Sequence, residues 1–374
     1  MQHLIFNPDE APRVEDIPVL ADFTGELAEH INGNWRLLAL FAVGQGRGEL
    51  YAVLAGDGQF CAFRSESVAE FDSIARLCPQ AQLFEREIYE NSGIMPRHHP
   101  WLKSVRIIPD APGKSRNADY GFYRVQGGQA HEVGVGPIHA GIIEPGHFRF
   151  QCYGENVLNL EIALGYQHRG VERMLLELPA TSTANHLRLR LVECVAGDES
   201  VANATAQCVL WERMFGLGAL DEHTQRMRRI GLELESLACH CGDLGAIAGD
   251  TGYLPTSSWN GRIRGDFLNM TAAICGNRFG REFVHPGGVD NDLDQEQCGM
   301  LLEKLASCGR DALASSEAMF ESASVRDRME GTGIIDTALA LELGLVGVAA
   351  RASGVECDAR FNFPLSSLPM YGAS

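Results

Sequence analysis

Phe148-Arg-Phe-Gln-Cys-Tyr153, Gly154-Glu-Asn156 and Val157-Leu-Asn-Leu-Glu-Ile162 together form the last strand-like pattern in the chain. Two short runs rich in apolar residues flank a Gly-Glu-Asn turn, which predicts a β-hairpin. Beyond it the apolar positions recur at helical spacing over 172–178, 200–215, 222–248, 261–274, 290–320 and 332–343. Upstream, 35–43 and 49–54 enclose Gly44-Gln-Gly-Arg-Gly48 and predict another hairpin, with helices expected over 20–31 and 68–77. The expected fold is α+β. A small N-terminal α+β domain spans 1–108 and a Gly-, Pro- and Asn-rich linker spans 109–134. A mainly α-helical bundle domain over 135–374 carries a β-rich loop at its start.

The 374 residues are 45% hydrophobic and only 21% charged, a balance suited to a large buried core. Acidic residues outnumber basic ones 49 to 31, and the resulting charge of -18 repels phosphate backbones, which argues against nucleic acid as a partner. No run approaches the ~20 apolar residues of a spanning helix, and the opening residues lack a basic segment followed by an apolar one. A soluble chain with no direct membrane span and no export signal is expected. Eleven scattered cysteines fit reduced thiols in a cytoplasmic protein better than a disulfide framework.

Several motifs that suggest chemistry have plainer readings. Gly44–Gly48 lacks the G-x-G-x-x-G spacing and following helix of a dinucleotide site, so it reads as a turn, and any nicotinamide belongs on another subunit. Cys239-His-Cys241 lies in a helical pattern, where residues one and two apart face different ways; small buried thiols are expected there, not a metal site. Asp290-Asn-Asp-Leu-Asp294 lacks the glycine and terminal glutamate of a calcium loop and reads as a helix N-terminal cap.

Gly136-Pro-Ile-His-Ala-Gly-Ile-Ile-Glu-Pro-Gly-His-Phe-Arg149, followed by Gly165-Tyr-Gln-His-Arg-Gly-Val-Glu172, resembles the opening motif of the large subunit of group 4 (energy-converting) [NiFe] hydrogenases, whose relative in complex I lines the quinone cavity. Phe84-Glu-Arg-Glu-Ile-Tyr-Glu-Asn-Ser-Gly-Ile94 and His98-His-Pro-Trp-Leu102 resemble the small complex I subunit that precedes, and is sometimes fused to, the large one. Gly347-Val-Ala-Ala-Arg-Ala-Ser-Gly354 resembles a later loop of the large subunit. The resemblance implies a peripheral-arm subunit on the cytoplasmic face of a membrane-bound redox complex, packed against an iron-sulfur small subunit and membrane-arm subunits.

That resemblance also implies site residues. Glu144 corresponds to a proton-passing glutamate; its plainer reading is a carboxylate paired with Arg149 or capping the turn. His139 and His147 are candidate quinone contacts or loop histidines bonded to backbone, and Arg351 is a further candidate cofactor contact. His168, Arg169 and Glu172 correspond to a face toward the cluster-bearing partner, or to a solvated first helical turn. A nickel-iron centre in this family needs two C-x-x-C pairs, because soft anionic sulfur suits both metals. The first pair should fall between Arg190 and Asn203, where only Cys194 stands; Ala196 and Glu199, or on another alignment Val192 and Val195, occupy the ligand positions, and no C-x-x-C occurs in the chain. The chain also looks C-terminally short beside the family. No cofactor is therefore expected on this chain alone, with quinone at an interface and an iron-sulfur cluster on a partner. Three roles follow from the resemblance: a quinone-type or energy-coupling electron-transfer subunit, a non-catalytic structural scaffold, or a [NiFe] hydrogenase large subunit that another chain completes.

Overall fold

Leu37 and Leu40 both point into the N-terminal core although they stand an odd three positions apart, because the strand bulges between Leu37 and Ala39. They belong to β3 (Arg36–Gln45), which turns at Gly46 into β4 (Arg47–Gly56), as the hairpin pattern predicts. A computed structural model describes residues 4–6, 12–56, 58–106, 122–138, 145–179 and 181–362. By contacts the chain divides into a first unit, Met1–Arg169 plus the returning segment from Ile335, and a second unit from Gly170 to Ile334.

In the first unit, β5 (Gln59–Ser65) pairs with β4 on one side and with β1 (Leu4–Phe6) and β2 (Val19–Leu20) on the other, giving the sheet order β1-β5-β4-β3 with β2 beside β5. Leu54, Cys61 and Phe63 are fully buried against α1 (Phe23–Asn32), whose first turn is capped by Asp22 accepting from the Gly25 amide at 2.9 Å. The helix expected over 68–77 does not form. Val68 exchanges backbone hydrogen bonds with Gly48, and β6 (Glu70–Asp72) runs parallel to β7 (Met95–Arg97). The spacing of Val68, Phe71 and Ile74 suits a helix, but sheet-edge pairing satisfies the backbone there instead. The helix forms later, as α2 (Gln82–Ser92), and buries Glu85 and Glu90.

A second sheet in this unit has the order β10-β9-β8, from β8 (His131–Val135), β9 (His147–Tyr153) and β10 (Asn156–Ala163). The hairpin of β9 and β10 falls where its pattern predicts, whereas β8 arises within the stretch whose composition reads as linker. The returning segment adds α10 (Thr337–Glu342), α11 (Gly347–Ala352) and α12 (Ala359–Asn362). It is tied down by Arg36, whose Nη2 donates to the Leu345 carbonyl at 3.1 Å and whose Nη1 meets Cys357 Sγ at 3.5 Å.

The second unit is helical, as expected. It comprises α3 (Val171–Glu177), α4 (Ser182–Glu193), α5 (Ser200–Met214), α6 (Glu222–Asp250), α7 (Leu254–Cys275), α8 (Gln295–Glu321) and α9 (Ala323–Met329), with a small hairpin of β11 (Val284–His285) and β12 (Gly288–Val289). α6 and α7 lie side by side around Met227, Leu234, Ala238, Ile263, Phe267 and Met270. A side chain at Gly231 would stand 2.8 Å from the Phe283 ring, so glycine sets how closely that ring packs on α6. α8 begins at Gln295, later than the periodicity suggests, because Asp294 and Gln297 form a reciprocal capping box.

Candidate functional site

The β8–β10 sheet is turned inside out. Register places Val133 opposite Phe150, Val135 opposite Phe148, Phe150 opposite Leu160 and Phe148 opposite Ile162, so all six share one face. Val133, Val135, Leu160 and Ile162 are 41–42% exposed. The opposite face carries Arg149, Gln151 and Glu161, all buried. A three-stranded sheet ordinarily buries its apolar face; here it buries a polar network.

Arg149 is the hub of that network. Its Nη1 donates to Glu161 Oε2 and to the Tyr123 carbonyl, both at 2.9 Å, its Nε donates to Glu132 Oε1 at 2.8 Å, and its Nη2 also donates to Glu132. Glu132 in β8 and Glu161 in β10 are thereby tied to the strand between them. The hydrogen bond from Arg149 holds the Glu132 carboxyl below its usual range. Around the hub, cations and rings alternate: Arg149 lies 4.9 Å from the Phe122 centroid, Lys103 lies 5.2 Å from Phe122 and 5.6 Å from Trp101, and Arg86 lies 4.9 Å from Trp101. Burial pulls the Lys103 ammonium below its ordinary pKa, against the opposing charge of Glu161.

The strands β8 and β9 bracket 136–146, the centre of the motif. His139 and Glu144, including the suggested pairing of Glu144 with Arg149, lie outside the described residues. His147 begins β9, half-buried, with Nδ1 at 3.4 Å from the Gly136 carbonyl. With that nitrogen donating, Nε2 is left as an acceptor. Arg351 pairs with Asp358 at 3.6 Å within the returning segment. His168 and Arg169 are exposed at the end of the first unit, and Glu172 is exposed in the first turn of α3, where the helix dipole favours an acid.

In the second unit, the segment where the first metal-binding pair would fall joins α4 to α5. Cys194 ends α4, Val195 and Glu199 are exposed, and Val192 and Ala196 are half-buried. No two thiols lie here, so the donor set does not fit a nickel-iron group. Among the described residues no three His, Cys, Asp or Glu side chains converge as a metal site. Two buried acids hold the segment at its ends. Glu193 Oε1 accepts from the Glu282 amide at 2.8 Å and Oε2 from Arg190 at 3.0 Å, and its carboxyl is raised by burial. Glu235, from α6, binds the start of α5. Neither acid stands out along the sequence except as a carboxylate set among apolar helix positions.

Comparisons with known proteins agree with this architecture. Residues 250–371 match the family described as respiratory-chain NADH dehydrogenase, 49 Kd subunit, and residues 57–120 match the 30 Kd subunit family. The membrane-bound hydrogenase subunit alpha of Pyrococcus furiosus is 28% identical over 243 residues, covering 64% of this chain and 55% of that protein. The C/D component of the NADH-quinone oxidoreductase of Phocaeicola vulgatus is 25% identical over 334 residues, covering 81% of this chain and 63% of that one. A chain in the structure of the membrane-bound sulfane sulfur reductase, an archaeal respiratory membrane complex, shares the fold with a TM-score of 0.58 at 22% identity, covering 63% of this chain and 62% of that chain. The chain thus spans little more than half the length of the hydrogenase relative. These matches support a relationship to the large subunits of complex I and of membrane-bound hydrogenases. The 30 Kd-type match lies ahead of the 49 Kd-type match along the one chain.

Proposed function

We propose that this chain is a peripheral-arm subunit, on the cytoplasmic face, of a membrane-bound complex I-like or hydrogenase-related redox complex, taking part in electron transfer without a nickel-iron centre in its 192–199 segment. The observation that carries this reading is the donor set of that segment: one lone thiol, three carboxylates and apolar side chains where soft thiolate pairs would be needed. Its relatives are named for membrane-bound and respiratory assemblies, and among the described residues no helix is long and apolar enough to cross a membrane. Attachment therefore falls to partners: an iron-sulfur small subunit and membrane-arm subunits. The uncovered apolar face of β8–β10 suits burial against such partners.

The residues bracketing the β8–β9 connection supply the chemistry in this reading. His147, with Nδ1 turned to Gly136, offers Nε2 to accept a proton from a quinol hydroxyl. His139 is the second imidazole of the same connection, and Glu144 is its proton carrier. Arg149 fixes the strand on which the connection ends. The test uses the intact complex captured through this chain. Nickel far below stoichiometry, with quinone-dependent turnover lost in His139→Ala, is expected. Stoichiometric nickel would restore a hydrogenase, and full turnover after replacing His139 and Glu144 together would leave only a scaffold.

A further inference from the structure

Beside segment 194–199, Glu235 stands in the apolar stripe of α6 with 7% of its surface exposed. Glu235 Oε2 accepts from the Val201 amide at 2.7 Å and Oε1 from the Ala202 amide at 2.9 Å. These amides belong to the first turn of α5, whose opening N–H groups have no partner inside the helix. Glu199, the residue at the cap position, makes no side-chain cap bond, so the cap is delivered from another helix.

The surroundings make that cap uneasy when charged. From the connecting segment, Asp198 and Glu199 both add like charge. One turn along α6 stands Cys239, its thiol pushed up to about 12, chiefly by burial, with its Sγ 3.8 Å from the Asp198 carbonyl. From α7, Arg264 directs its guanidinium to Asp198 at 3.3 Å. The first turn of α5 brings only Ser200, Val201, Ala202 and Asn203, none charged. At the far end, Glu193 holds Ser200 Oγ through its carbonyl at 2.9 Å.

We propose that segment 194–199 and the first turn of α5 form a proton-operated door, closed over Glu235 while its carboxyl is neutral and opened when the carboxyl ionises. An ionised carboxylate buried near like charge lowers its free energy by admitting water, and moving the segment admits it. The two amide bonds offset only part of the cost: burial, the largest influence, raises the carboxyl to about 7. The closed state holds the proton more tightly than an open, hydrated one. Linkage then makes the closed fraction fall as pH rises from the ordinary carboxylate range to about 7, and level off above it. The door operates whichever complex the chain serves.

Amide hydrogen exchange on the full chain between pH 5 and 8, with protection corrected for intrinsic rates, tests this. Protection at Val201 and Ala202 should fall by up to about tenfold per pH unit before levelling. Glu235→Gln keeps an acceptor and removes the charge, so its protection should stay high and flat. Asp198→Asn with Glu199→Gln should move the midpoint to lower pH with little risk to folding, since Glu199 is exposed and Asp198 half-exposed. Protection independent of pH in the unaltered chain, a fall that persists in Glu235→Gln, or a midpoint unmoved by the paired substitutions would each overturn the door.

Discussion

Arg228 on α6 grips Glu212 on α5 with two prongs, Nη1 to Oε2 at 3.1 Å and Nη2 to Oε1 at 2.6 Å, with both side chains buried. The same Nη2 donates to the His285 carbonyl at 2.7 Å, and Glu212 Oε1 accepts from the Gly287 amide at 2.7 Å. Two helices and the β11–β12 hairpin thus meet on one ion pair. Arg228→Met strands a buried carboxylate and should cost about 3–5 kcal/mol. In urea unfolding followed by tryptophan emission, the further change Glu212→Leu should recover part of that loss; a double variant less stable than Arg228→Met would contradict the assignment.

Gly165 and Gly170 both occupy left-handed backbone, at φ 83° and 67°, yet only the first is crowded. A side chain at Gly165 would sit 2.9 Å from the Val105 carbonyl oxygen, whereas nothing lies within 4 Å of one at Gly170. Gly170→Ala should cost about 1 kcal/mol from backbone strain alone, and Gly165→Ala clearly more. Thermal melts of the two variants, compared side by side, check the order.

Asp358 has its carboxyl lowered to about 2, first by the hydrogen bond from Arg360. A depressed folded-state value gives stability that is complete above the ordinary carboxylate range and is lost as pH falls through about 2. Asp358→Asn should therefore start less stable at pH 5 and lose less between pH 4 and 2. Acid titration followed by circular dichroism should show two curves that converge at the acid end; parallel curves would remove Asp358 from the account.

The exposed apolar face predicts behaviour in isolation. The chain without partners should self-associate, and Leu160→Ser with Ile162→Ser should shift it toward monomer in sedimentation. An unchanged distribution would place the adhesive surface elsewhere.

Helix and hairpin positions were readable wherever one periodicity dominated, as in α5, α6 and the β9–β10 hairpin. α4 escaped because Leu187-Arg-Leu-Arg-Leu191 alternates as a strand does. The 68–77 segment misled in the other direction: Val68, Phe71 and Ile74 recur at helical spacing, yet the backbone there pairs as strand. The site was legible as a motif but not as chemistry. Arg149 and Glu161 lie 12 residues apart, and only the register brings them together; Glu235 lies 34 residues from Val201, and only helix packing joins them.

Arg36, near the front of the chain, completes its bonds with Leu345 and Cys357. On a ribosome, the first unit must therefore wait, its guanidinium still wet, while the whole second unit is synthesised and free to fold. Order of manufacture and order of completion run opposite ways: the part begun first is finished last.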